Sequence, residues 1–416
     1  MAADFNNPTV NSLKASFPGE IRDNVTALAK LDPSTGSNIP TGAKRVNETT
    51  NQFERYSGST WVPKPYGVAR RFNAIIGGDF STNPWQRGTS FTAPANAAYT
   101  ADRWVITSSG TMVINHLKTA DAPTVAQCGK LVTHCLHLDV TTADAAMAAS
   151  DLYTIEQRIE GYNWLHLAQK ACTLSFWVKA TKTGTYSVSL RNSGNDRSFV
   201  AEYVVNSAST WEYKEIAITA SPSAGTWDYT NGIGAKLRFT ICGGTDNSTS
   251  SLNTWNSDDN TYSTNQVNGA DSTSNDFKLA LIQLEPGDVA TPFIEKTFDE
   301  VLQDCQRYFE KTFLMATAPA QNAGGGGCFS PSVVGAATGM TFPVFFKTRK
   351  RAAPSMTGYN PSVANAQVRN DTRTQDCSST SFQGIAEWGC GVQTTTSAST
   401  VAGDRLSFNW IADAEL

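Results

Sequence analysis

The sequence predicts a mainly β protein. It reads as an antiparallel β-sandwich of the jelly-roll kind, a smaller C-terminal β-sandwich, and a short N-terminal segment of one helix and a β-meander. Three observations predict this. Short runs of alternating apolar and polar residues recur through the middle of the chain. No long helical pattern separates them, so they pair antiparallel rather than through crossover helices. Of the 416 residues, 40% are hydrophobic, enough for a packed core, and only 17% are charged, so the polar surface is largely Ser, Thr, Asn and Gly.

Residues 1–70 form the first segment. Ser16-Phe17-Pro18-Gly19-Glu20 reads as a helix start, with Pro18 in the first turn and Glu20 favourable there. Ile21, Val25, Leu28 and Leu31 follow at helical spacing until Asp32-Pro33 removes the donor the next turn needs. So narrow an apolar stripe is marginal alone and must pack on something else or on copies of itself. Runs 43–46 and 52–56 then flank a polar turn and lead to Trp61, a small meander. Pro63, Pro65 and Gly67 mark a linker.

Residues 71–297 are the jelly roll. Leu174, Phe176, Val178 and Ala180 alternate with polar residues and Trp177, which places Trp177 on the outward face. Tyr186, Val188 and Leu190 repeat the pattern, as do Phe199, Ala201, Tyr203 and Val205, then Leu237, Phe239 and Ile241, then Phe277, Leu279 and Leu281. The polar stretch 243–276 carries Leu252, Trp255 and Tyr262, and a loop of that length is either functional or disordered. Residues 298–313 read as a connecting helix. Val301, Leu302, Cys305, Tyr308 and Phe309 form its apolar face, with Asp299 and Glu300 near its start and Lys311 near its end. Residues 314–416 open on a glycine hinge, 324–327, and read as β again.

The chemistry is mostly one of exclusions. A net charge of −4 gives no basic field, so no nucleic acid is expected as partner. No apolar run approaches the ~20 residues that span a bilayer, so no membrane insertion is expected. The opening MAADFNNPTV lacks a signal pattern, which predicts synthesis in a cytosol. Eight scattered cysteines without C-x-x-C read as buried free thiols. His134 and His137, three apart on a strand, fall on opposite faces, and His116 and His166 have no recognisable partners. No zinc-protease, nucleophile-elbow or phosphate-loop motif occurs. Glu156 and Glu160 alternate with Ile155 and Ile159, a strand with a salt-laced outer face rather than an acid/base pair. Asp258, Asp259 and Asp271 read as solvated turns.

Two features point to binding. Ten tryptophans and twelve tyrosines are many for so weakly charged a chain, and exposed rings stack on sugars. Trp177, Trp255 and Tyr262 are the candidate platforms. Lys347, Arg349, Lys350 and Arg351 form the dense basic cluster: a receptor-facing patch for phosphates or acidic sugars, or equally a solvated sheet edge.

Several of these motifs, in order, carry a resemblance. NAIIGGDFSTNPWQRGTSF (73–91), YTADRW (99–104), QRIEG (157–161), LSFWVKA (174–180), FKLALIQLEPGDVATPF (277–293) and CQRYFEKTF (305–313) resemble bacteriophage and prophage tail-fibre proteins whose jelly roll is similar to carbohydrate-binding modules. The opening DFNNP (4–8), FPGEIRDNVTALAKL (17–31) and GSNIPTGAKRVNETTNQFERYSGSTW (36–61) resembles the N-termini of such fibres. RAAPSMTGYNPS (351–362) and NWIADAEL (409–416) resemble their tips. The resemblance implies a virion component made in the host cytoplasm. Residues 1–70 would attach to tail or neck proteins, 71–297 would serve as shaft or binding body, and 314–416 would be the distal tip. It implies a homotrimer, which the Ile21–Val25–Leu28 stripe suits, a dimer being the alternative. By the same resemblance Asp79 and Glu285 are candidate ligands of a structural calcium, with no other cofactor expected.

The function expected is therefore a non-catalytic tail fibre that binds a host surface glycan or outer-membrane receptor during adsorption. The alternatives are a purely structural head or neck fibre and a tail polysaccharide depolymerase.

Overall fold

Lys44–Asn47, Gln52–Tyr56 and Trp61–Pro63 form a three-stranded antiparallel sheet in sequence order. They belong to a computed structural model that describes residues 39, 41–47, 52–63, 72–333 and 339–416. Arg45 lies opposite Glu54 in the register, donates to its carboxylate at 2.6 Å, and sits 4.5 Å over the Trp61 ring. The helix expected over 16–32 lies outside the described residues. The chain divides into two units, Met1–Arg71 and Phe72–Leu416.

The alternating runs build two six-stranded sheets face to face. One has the order Trp255–Asn256, Ser198–Val205, Gly184–Asn192, Ile233–Gly243, Leu152–Glu160, Trp104–Ser109. The other runs Glu212–Ile218, Cys172–Ala180, Asp276–Pro286, Cys135–Thr142, Val113–Thr119, Ser90–Phe91. All pairings within them are antiparallel. The predicted inward sets meet in one core. Phe176 of the second sheet sets its ring edge-on to Tyr203 and Phe239 of the first, at 5.0 and 4.9 Å between centroids. Each such buried side chain contributes roughly 1.5–3 kcal/mol of transfer free energy.

One inward set departs from strict alternation. In Asp276–Pro286 the register against Cys172–Ala180 shifts between Ala280 and Gln283, and Leu281 takes a φ of 51°. This bulge carries Ala280 and Leu281 off the main core, where they pack with Val132, Cys135 and Trp211. Leu281 therefore does not continue the Phe277–Leu279 face. The cause lies across the chain: Ile282 N–H donates to Gly78 O at 2.9 Å, and a Cβ on Gly78 would fall 2.6 Å from Ile282 O. The polar stretch 243–276 is ordered by short pairings, Ser248–Thr249 with Tyr262–Ser263 and Trp255–Asn256 with the Ser198–Val205 strand.

The helix expected over 298–313 is shorter. It begins with a capping box between Thr297 and Glu300 and ends at Gln306. Phe309–Lys311 then pairs as a strand with Asn409–Asp413. Long-range ladder bonds override the local helical period there. Lys311, expected at a helix end, is buried and donates to the carbonyls of Met315 and Thr317.

Three small three-stranded sheets make up the C-terminal part: Phe309–Lys311, Asn409–Asp413, Ser355–Tyr359; Gly339–Phe345, Gly389–Thr395, Ser378–Ala386; and Gln375–Asp376, Arg369–Asn370, Leu406–Ser407. They enclose a separate core that includes Phe342, Val344, Val392, Phe408 and Trp410. The glycine run 324–327 is tied down rather than free. Gly324 N–H donates to Pro361 O at 3.0 Å, and Asn409 Nδ2 donates to Gly324 O at 3.2 Å.

Candidate functional site

The three predicted aromatic platforms do not share a face. Trp177 stands outward of the main core, as alternation requires, but its ring is half-buried against Tyr213, 5.7 Å away, and the Ala280–Leu281 cluster. Trp255 closes the sandwich edge. Its Nε1 donates to Thr219 O at 2.9 Å, and its ring meets Phe199 and Trp227 at 5.8 and 5.7 Å. Tyr262 is only 1% exposed, because the returning loop folds it over Gly243. It presents no face to a ligand.

An aromatic surface the sequence reading missed lies in the C-terminal part. Phe345 and Trp388 are 67% and 58% exposed, their centroids 6.0 Å apart and their planes 24° from parallel. Phe345 sits opposite Gly389 in the ladder, so Trp388 lies at the turn that joins the two neighbouring strands. A faint signal existed: Phe342 and Val344 face inward, which by period two turns Phe345 out.

The second feature is the outer face of the first sheet. In register, Arg191, Lys236 and Arg158 stand side by side on three adjacent strands, and Arg238 and Glu156 occupy the next rung. Like charges directly opposite repel, so each partner matters. The buried carboxylate of Glu156 is shared by Arg158, at 2.7 Å, and Arg238. Burial opposes its ionisation, yet the two guanidinium groups hold its pKa below the usual range. Arg191 pairs with Asp259 and donates to Thr261 Oγ1 at 3.3 Å, which takes Asp259 out of the solvated-turn reading. Lys236 has only the neutral Asn195 Oδ1, at 2.6 Å. Burial, opposed by Glu156 and reinforced by Arg191, Arg238 and Arg158, pushes the Lys236 ammonium down to about 8. Burial and Arg238 bring Arg191 down to about 9. The salt-laced face predicted for Glu156 and Glu160 thus exists, but it is buried. Glu160 accepts from Arg307 Nη2 and Tyr308 Oη, both at 2.6 Å.

The basic cluster splits. Lys347 and Arg349 are exposed, whereas Lys350 is buried with its ammonium 2.6 Å from Glu310. Arg351 turns inward, donating to the carbonyls of Asn231, Ala414 and Glu415. Burying an unpaired lysine is costly, so Glu310 fixes Lys350 inside and the four do not form one patch.

The calcium candidates do not fit that ion. Glu285 accepts from Thr291 N, Thr291 Oγ1 and Gln283 Nε2 at 2.8, 2.6 and 2.7 Å, and Asp79 accepts from Thr82 N and Oγ1 at 3.2 and 2.8 Å. Both carboxylates close turns, whereas calcium takes roughly six to eight oxygen ligands. Among the described residues, the grouping whose ligand-type atoms lie within 4.8 Å of one another is His137, Asp139 and Asp276. His137 Nε2 is 2.7 Å from Asp276 Oδ1, and the Lys278 ammonium is 3.9 Å from Asp276 Oδ2. Sequence reading missed this group because Asp276 is remote from His137 along the chain. His116 does have partners, Thr100 Oγ1 and Tyr153 Oη, each at 2.9 Å, and burial lowers its pKa to about 3. All eight cysteines are free thiols, six of them buried, as the spacing predicted.

No protein-family profile matches this chain, and no curated protein does. Solved structures similar to it include a family 4 carbohydrate-binding module, 12% identical over 50% of this chain and 100% of that one, with a TM-score of 0.27. A family 11 module from Clostridium thermocellum, in complex with a β-1,3-1,4-mixed-linked tetrasaccharide, is 10% identical over 49% and 99% of the two chains, TM-score 0.27. The tandem CBM22 domain from Paenibacillus barcinonensis is 9% identical over 79% and 99%, TM-score 0.25. By its own strand order this chain is a mainly β protein of antiparallel sandwich form.

Proposed function

We propose that this chain is a non-catalytic bacteriophage tail fibre that binds a glycan on the bacterial surface during adsorption. The observation that carries the binding reading is the Phe345–Trp388 shelf. Two nearly parallel exposed rings are costly to leave in water, and they match the apolar faces of a pyranose chain. The virion role rests on the ordered motifs from DFNNP to NWIADAEL. In this reading residues 1–70 attach to tail or neck proteins, the jelly roll is the body, and the C-terminal part is the receptor-binding tip. A homotrimer presents several weak shelves together and gains avidity on a repeating glycan.

Fluorescently labelled chain, applied to host cells, tests this. It is expected to coat the cells and compete with phage adsorption, and Trp388→Ala is expected to abolish both without releasing reducing ends in either form. Labelled protein that neither coats cells nor competes would favour a purely structural head or neck fibre. Sustained release of reducing ends would establish a depolymerase. Light scattering on the same variant separates a sugar shelf from a subunit contact: if Trp388→Ala changes the mass of the assembly, the shelf is an interface.

A further inference from the structure

We propose that the Arg191–Lys236–Arg158 rung is a binding subsite, separate from the aromatic shelf, for the anionic group of a saccharide: a uronate carboxylate or a phosphate ester. The saccharide part of this statement rests on the glycan-binding reading; the anionic part rests on the rung itself. Four cations, Arg158, Arg191, Lys236 and Arg238, occupy this sheet face; the carboxylates paired with them there are Glu156 and Asp259, and Arg158 also donates to Leu416 O. Both carboxylates are committed to arginines, so Lys236, 8% exposed and flanked by Arg191 and Arg158, has the Asn195 amide oxygen as its hydrogen-bond partner and feels Glu156 only from one rung away. A sheet does not gain stability from three adjacent cations, so an anion is what completes the arrangement. A second observation is independent of the charge count. Arg191 is 2% exposed, yet its Nε has no acceptor, and the neighbouring Ser189 Oγ, also buried, has no partner either. Both stand on the same side of the Gly184–Asn192 strand, beneath Asp259 and Thr261, with hydrogen-bonding capacity that an oxyanion would use.

The site carries its own pH signature. The groups facing Lys236 are Arg191 and Arg158 on the flanking strands, Glu156 and Arg238 one rung away, and Asn195 in the adjoining loop. With its ammonium held near 8, Lys236 is charged below that pH and neutral above it. Anion affinity should therefore fall as pH rises through 8, while a uronate stays ionised throughout.

Calorimetry on the full chain decides the matter, with oligogalacturonate, a phosphorylated mannan, and neutral dextran and galactan as probes. The expected result is preferential binding of an anionic probe, weakened by salt and lowered about tenfold in Lys236→Met. Lys236→Arg is expected to bind with little pH dependence between 7 and 9, because its charge persists. The two anionic probes tell carboxylate from phosphate. Unchanged affinity in Lys236→Met, or equal affinity for anionic and neutral probes, overturns the proposal. Binding of neutral probes alone, lost in Trp388→Ala, overturns this proposal and leaves the glycan-binding function standing; binding of no probe overturns both.

Discussion

The guanidinium carbon of Arg103 lies 3.5 Å from the centroid of the Tyr308 ring. Arg103 belongs to the sandwich and ion-pairs with Glu415, while the Tyr308 hydroxyl donates to Glu160 at 2.6 Å. Two charges on the sandwich are thus satisfied by side chains of the C-terminal part. Gln86 Nε2 adds a bond to Phe309 O at 3.0 Å, and the Arg87 guanidinium lies 3.7 Å over the Phe309 ring. The two hydrophobic cores are joined by a buried polar seam, which breaks only at the expense of uncompensated charge.

Tyr308→Phe keeps the ring under Arg103 and removes only the hydroxyl, leaving buried Glu160 one donor short. The expected loss of stability is about 1.5–3 kcal/mol, because the bond lost is to a charged acceptor. Urea denaturation monitored by tryptophan fluorescence measures it, and an unchanged midpoint would contradict the seam.

Acid destabilises through His116. Its pKa is about 3 in the folded chain against about 6.5 unfolded, so the unfolded state binds more protons between those values. The stability this group contributes is complete above pH 6.5 and is lost as pH falls toward 3, at up to about 1.4 kcal/mol per pH unit. Asp102 acts in the opposite sense: burial, resisted by Arg87, raises it to about 6, so its contribution fades as pH rises through that value. The comparison is therefore between wild type and His116→Gln across pH 4 to 7. The variant should lose stability less steeply on acidification, whatever its absolute stability, and parallel curves would refute the assignment.

Thiol labelling should be ordered by burial and ionisation. Cys128 is only partly buried, whereas burial pushes Cys135 up to about 11 and Cys172 and Cys242 up to about 12. Cys328 is also partly buried but is raised to about 11. Iodoacetamide at pH 8 followed by peptide mass spectrometry is expected to find Cys128 alkylated first. Prior labelling of Cys172 would mean that the sandwich edge opens.

Phe176→Ala and Trp388→Ala should separate core from surface. Phe176 is fully buried between the sheets, and its truncation should cost about 3–5 kcal/mol. Trp388 is exposed, and its truncation should change stability by no more than about 0.5 kcal/mol. Comparable losses from the two would show that the shelf is packed in the assembled protein.

The strand pattern was legible because alternation is local: Leu174, Phe176, Val178 and Ala180 report their side of the sheet from spacing alone. What escaped depends on contacts between remote residues. The helix stops at Gln306 because the next strand finds a partner about a hundred residues later, in Asn409–Asp413. Tyr262 looked like an exposed ring because its polar neighbours suggest solvent, but Gly243 leaves the space that buries it. Lys350 is indistinguishable from Lys347 in sequence, and only Glu310 separates their fates. The cation rung was hidden for the same reason. Arg158, Arg191 and Lys236 become neighbours only once three strands are in register.

The bulge at Ala280–Gln283 has a mechanical consequence. In a regular strand, sliding by two residues returns every side chain to its original side, so shear can creep without penalty to the pattern. Here the residues on either side of the extra one serve different packing groups, and Leu281 holds a backbone angle its neighbours would resist. Asp276–Pro286, central in its sheet, can therefore seat in one alignment only. A sheet tugged along this strand would hold or tear, but it would not ratchet.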